Sequence, residues 1–170
     1  AVGNSNSAQA STGGGAEYGF KNWMFWGNAT GQRSSDYSAG GDFGKVRNTF
    51  TRTASGNLGF GYYGKEAFIN ANVGYYQNRF GIPIDESESD PEVRSLRMWK
   101  NYQRISGGFT DLQSFISSFK FTFNNSNYRH QEIHDNEVGT TFRNRVQSYR
   151  GKKKKKPFGV LNGRFGFEGF

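Results

Sequence analysis

The 170 residues contain no cysteine, which excludes disulfides and thiolate-held metals. Leucine is nearly absent too, with only Leu58, Leu96, Leu112 and Leu161. The 24 glycines are about twice the usual share of roughly 7%. Each would cost a helix interior about 1 kcal/mol, so long helices are excluded. No apolar run approaches the roughly 20 residues of a membrane-spanning helix. There is no initial Met and no basic-then-apolar leader, which suggests a processed or truncated product. No nucleophile elbow, phosphate loop or metalloprotease motif occurs, so no enzyme and no cofactor is expected. Gly59, Gly61 and Gly64 match a dinucleotide-loop spacing, but they precede a strand pattern rather than a helix and read as a strand end before a tight turn.

Against these absences stands an abundance of aromatics, 17% of the chain, with 17 Phe. Disordered chains are poor in aromatics, so the low mean hydropathy of -0.81 and the net charge of +8 do not indicate disorder. What remains is an all-β protein. Residues 1–15, small, polar and Gly-rich, read as a flexible lead-in.

Period-two alternation begins after Ala16. Its clearest case runs from Phe115 to Tyr128: Phe115, Phe119, Phe121 and Phe123 share one face, and Ser118, Lys120, Thr122, Asn124 and Ser126 the other. Phe50 to Tyr62 and Ala67 to Phe80 repeat the pattern. Rougher segments lie at Tyr18–Thr30, Ser95–Gly107, Phe142–Arg150 and Phe158–Phe170. The spacing predicts an antiparallel meander of about seven long strands. Connectors at about 31–47, 81–94 and 130–141 are long; those at 63–66, 108–114 and 151–157 are shorter. Long outer loops alternating with short periplasmic turns, with Thr, Ser, Asn and Gly opposite an aromatic face, match part of a transmembrane β-barrel. A secreted soluble β-rich module binding glycan or nucleic acid is the rival class, and a passive porin a nearer one.

Two stretches carry a resemblance. "YYQNRFGIP", Tyr75 to Pro83, and "NYRHQEIHDNEVGTTFRNR", Asn127 to Arg145, resemble the middle barrel region of TonB-dependent outer-membrane receptors. The matching features are a strand ending in Gly81, Ile82 and Pro83, then a loop of Glu137, Val138, Gly139, Thr140, Thr141 and Phe142. The resemblance spans residues 16–170, and it implies a partial receptor barrel in the outer membrane of a Gram-negative bacterium. Its implied function is TonB-energised uptake of a scarce nutrient such as a metal ion or siderophore-like chelate. The implied partners are the TonB complex, reached through a plug absent from this stretch, the nutrient ligand and outer-membrane lipid, with no nucleic acid.

Candidate ligand-binding residues lie in the expected outer loops. Asp85, Glu86, Glu88 and Asp90 form an acidic cluster able to offer oxygen ligands, although a solvated loop explains it as well. His130 and His134, with Glu132, Asp135 and Glu137, offer imidazole and carboxylate groups suited to zinc or related metals, and the two histidines are the candidate metal ligands. Lys152 to Lys156 read as a solvated periplasmic turn beside anionic headgroups.

Overall fold

A computed structural model describes residues 6–41, 44–87, 89–110, 112, 116–155 and 163–170. The protein is all-β. Its strands are β1 (Gln9–Phe20), β2 (Trp23–Ser34), β3 (Thr51–Tyr63), β4 (Ala67–Gly81), β5 (Arg94–Phe109), β6 (Ile116–His134), β7 (Glu137–Lys155) and β8 (Arg164–Gly169). They pair in sequence order, each antiparallel to the next, as one open sheet with β1 and β8 at its edges.

Eight strands therefore stand where about seven were expected. The single segment anticipated at Tyr18–Thr30 is two strands, turning at Lys21–Asn22, where Lys21 takes φ 52° and Asn22 Nδ2 donates to the Tyr63 carbonyl at 2.8 Å. Residues 9–15 are likewise no free lead-in: Gln9 to Gly15 pair with Ser34 to Asn28. Small Gly, Ser and Thr side chains carry no amphipathic signal, but their backbone groups complete the ladder all the same. The stretch 130–141, expected as a long loop, is a hairpin. Here β6 and β7 continue to a two-residue turn, Asp135–Asn136, with φ 45° and 72°. That is the positive-φ geometry that tight hairpins favour and that Asp and Asn accept. Lys152 to Lys155 also lie in β7 rather than in a turn, and Lys156 falls outside the described residues.

Register places side chains on two chemically distinct faces. One carries Phe20, Trp23, Tyr62, Ile69, Gly107, Phe121, Gly151 and Phe167 in one row across all eight strands. The next row is Tyr18, Phe25, Phe60, Ala71, Ile105, Phe123, Tyr149 and Gly169. Trp23 meets Tyr62 edge-on at 5.1 Å and stacks on Phe25 at 6.4 Å, contacts worth about 0.5–1.5 kcal/mol each. The opposite face is polar over most of its height and is tied by side-chain hydrogen bonds. Asn57 donates to Asn28 at 2.8 Å, Thr30 and Ser55 hydroxyls meet at 2.7 Å, and Asn124 donates to Ser148 at 3.2 Å.

The sheet is one layer thick. Ile133 is the one buried hydrophobic side chain among the described residues, while Leu58 is 67% and Tyr18 63% exposed on the aromatic face. A sheet with one apolar face ordinarily buries it against a second layer. None covers this face among the described residues.

The β6–β7 turn supplies a direct test. Asn136→Val, placing a branched side chain at positive φ, is expected to cost about 1–2 kcal/mol, whereas Asn136→Gly is tolerated. Urea unfolding of the two variants in detergent should separate them, and equal midpoints would remove the turn assignment.

Candidate functional site

The described residues of the two long connectors, between β2 and β3 and between β4 and β5, and the Asp135–Asn136 turn lie at one end of the sheet, opposite the short turns at 21–22 and 64–66. Gly64 sits in one of those short turns, its N–H bonding the Ala67 carbonyl at 2.8 Å, as a strand end before a tight turn requires.

Two polar residues stitch the long-connector end together. Asn48, with φ 59°, donates from Nδ2 to the carbonyls of Ile82 at 2.7 Å and Arg94 at 2.6 Å. It thereby closes both ends of the second connector from the end of the first. Asp135 accepts from the Val93 N–H at 3.1 Å, and its own N–H donates to the Val93 carbonyl at 3.0 Å. The approach at Gly81 is tight. A Cβ built there would collide with the Asn48 backbone carbonyl, so the Gly81–Ile82–Pro83 stretch needs glycine where β4 ends.

Beside these staples lies an ionic cluster. Glu92 bonds His134 Nδ1 through one oxygen and accepts from Arg94 Nε at 2.7 Å through the other, with Arg94 Nη2 at 2.6 Å. The His134 bond, then that from Arg94, holds the Glu92 carboxyl below the usual glutamate range. Neither Asn48 nor Glu92 stands out in the sequence. Only the pairing of Arg94 with His134, visible once β6 is known to reach residue 134, brings Glu92 beside that ring.

The acidic connector residues Asp85, Glu86 and Asp90 are exposed, and Glu88 lies outside the described residues. Asp85 accepts from the Ser87 hydroxyl at 2.6 Å and the Ser87 N–H at 3.0 Å, in that order of effect lowering its pKa. This is a local turn that uses one carboxylate oxygen within the connector.

His130 and His134 are not brought together. Four residues apart on β6, they point to the same side but stand roughly 13 Å apart along the strand. His130 stacks on Phe142 at 4.5 Å and leans on Tyr128 at 5.5 Å. Glu132 faces Thr140 across the β6–β7 pair, and Glu137 opens β7 opposite His134. Among the described residues no group of three or more His, Asp or Glu side chains is arranged to hold a metal ion. The arrangement is thus a hydrogen-bonded rim with an exposed acidic connector and an aromatic patch around His130.

No family model matches the chain, and no curated protein matches it.

Protonation of Glu92 should loosen the rim. A carboxylate whose pKa is lowered on folding contributes stability above its unfolded value, and that contribution disappears as pH falls through the folded value. Hydrogen exchange at Arg94 is therefore expected to be pH-insensitive above about pH 5, after correction for intrinsic exchange, and to accelerate below about pH 4. In Glu92→Gln the step should vanish. A step of the same size in that variant would assign the effect elsewhere.

Proposed function

We propose that this chain is wall of an outer-membrane β-barrel of the TonB-dependent receptor class, taking part in energised uptake of a scarce nutrient such as a metal ion or chelate. The observation that carries the membrane reading is the continuous aromatic and aliphatic face, exposed across every strand of a single-layer sheet. A soluble sandwich covers such a face with a second sheet, whereas a barrel wall leaves it to lipid. The polar, hydrogen-bonded face then lines the lumen. Strands of 12–19 residues in β1 to β7 exceed the 9–11 needed to cross the bilayer and extend into a rim.

A further feature supports the lipid-facing assignment. On that face the apolar stretch reaches Gly31 on β2 and Ala54 on β3, but ends at Ile105 on β5 and Phe123 on β6, where Gln103 and Asn125 follow. Such a stepped boundary suits strands tilted about 35–45°, because hydrogen-bonded rows then run obliquely to the membrane plane.

The receptor class draws on the resemblance around Gly81–Pro83 and Glu137–Phe142, although the second stretch begins strand β7 instead of forming a loop. In this reading Asp85, Glu86, Asp90 and the His134–Glu92 rim contribute to ligand capture, and the TonB complex acts through a plug elsewhere in the receptor.

Trp23 and Trp26 provide the test, because they sit on opposite faces of the same strand. In single-tryptophan variants of the intact protein reconstituted in vesicles with brominated acyl chains, Trp23 fluorescence is expected to be strongly quenched and Trp26 fluorescence hardly affected. Equal quenching of both, or a protein soluble and monomeric without detergent, would refute the membrane reading. Chelate uptake that continues in cells lacking TonB would refute the receptor class and leave a passive pore.

A further inference from the structure

The lipid-facing side has a second zone, at the long-connector end, which is strongly basic. Arg33 lies directly opposite Arg52, Arg52 opposite Arg79, and Arg79 opposite Arg97, so four adjacent strands place arginines in one row. Beyond them Trp99, Arg129 and Arg143 form one row, and Asn101, Asn127 and Arg145 the next. Directly opposed like charges destabilise a sheet, since their Cβ atoms are about 4.5–5.5 Å apart. The sheet supplies nothing to offset this. Its strand carboxylates point elsewhere: Glu17 opposite Trp26, Glu132 opposite Leu96 and Glu168 opposite Arg150 all fall on the other face, and Glu137 lies at the hairpin tip. None of these seven arginines is in an ion pair among the described residues.

Aromatic rings hold several guanidinium groups without neutralising them. Arg52 and Arg79 lie 5.6 and 5.9 Å from the Phe50 ring, and Arg97 and Arg129 lie 4.7 and 5.3 Å from Trp99. The Nε atoms of Arg79 and Arg97 are buried without a hydrogen-bond partner. The Trp99 ring that Arg97 covers also lines a hollow of about 590 Å³, together with Tyr75, Asn127, Arg129, Arg143 and Arg145. Its walls offer three guanidinium forks and no carboxylate, which is a donor set for phosphate oxygens.

Height selects the source of the phosphate. From Trp23 to Arg33 on β2, from Tyr62 to Arg52 on β3 and from Ile69 to Arg79 on β4 is the same ten-residue run. That is roughly 34 Å along a strand, or roughly 26 Å of height at a tilt of about 40°. An outer-membrane barrel has an apolar band about 25 Å tall. On each of these three strands the arginine therefore stands about one hydrocarbon thickness above the Trp23, Tyr62 or Ile69 of the same strand, on the side of the long connectors. The geometry points to a docking site for the phosphate groups of anionic lipid headgroups in the outer leaflet, centred on Arg79, Arg97, Arg129, Arg143 and Arg145. This inference depends on the barrel reading above, with the aromatic face toward lipid.

The test uses the intact protein reconstituted in vesicles of neutral lipid, with or without an anionic lipid bearing a phosphomonoester headgroup. Unfolding midpoints are expected to rise by several degrees with the anionic lipid, in a salt-sensitive way. The combined variant Arg97→Gln, Arg129→Gln, Arg143→Gln should lose most of that rise yet be no less stable in neutral vesicles, because it relieves repulsion. Lys152→Gln with Lys153→Gln, at the other end, should retain it. An unchanged rise in the arginine variant would overturn the site. So would an equal rise from inorganic phosphate in neutral vesicles, which would indicate a free-anion site, or from an oligonucleotide at equal phosphate concentration. If the arginine variant does not fold, the single variant Arg97→Gln, expected to lose part of the rise, decides in its place. Failure to insert into neutral vesicles would refute the barrel itself, whereas insertion without headgroup dependence would refute this site alone.

Discussion

The backbone hydrogen-bond ladder is the interaction on which every other feature of this chain depends. Seven antiparallel pairings join eight strands, while just one hydrophobic side chain among those described is buried. Side-chain packing therefore contributes little to holding the sheet together by itself. In a medium without water the cost of leaving a backbone group unpaired is several kcal/mol, which makes a continuous ladder the natural frame for a membrane wall. The outer edges of β1 and β8, with no neighbouring strand among the described residues, are where that ladder is open.

Once the ladder is set, each face takes the chemistry of what bathes it. Rows of Phe, Tyr, Trp, Ile and Leu occupy one side, and Asn, Ser and Thr bond each other on the other. At the long-connector end a different economy holds. Asn48 and Asp135 join the connectors through backbone groups, and Glu92 gathers His134 and Arg94. On the aromatic face, at this same end, arginines stand side by side with no ion pair among the described residues. A repulsive row inside a well-paired sheet has a physical rationale when an anion outside the chain balances it.

Much of this was legible from residues alone. Leu58, Phe60 and Tyr62 against Asn57 and Gly59, or Phe119, Phe121 and Phe123 against Lys120, Thr122 and Asn124, announce a strand and its faces by alternation. Where alternation is absent, reading fails. Ala10 to Gly15 carry side chains too small to distinguish two faces, and Gln131 to Thr141 hold only Ile133 and Val138 among polar residues and a glycine, so a strand and a hairpin there resembled a lead-in and a loop. The candidate metal residues illustrate the same limit. Four residues bring side chains together on a helix but separate them on a strand, and His130 and His134 found different partners.

The sequence by itself determined that the chain forms strands, which residues share a face wherever alternation is clear, and that long helices and disulfides are excluded, because period-two alternation and composition are local properties. Register was decided only in the tertiary structure. Nothing in the separate stretches around Arg33, Arg52, Arg79 and Arg97 says that they align, since alignment depends on the length and geometry of every intervening turn. A slip of one residue at a single turn would move an arginine to the opposite face, so the basic row and the hollow beside it belong to the assembled sheet.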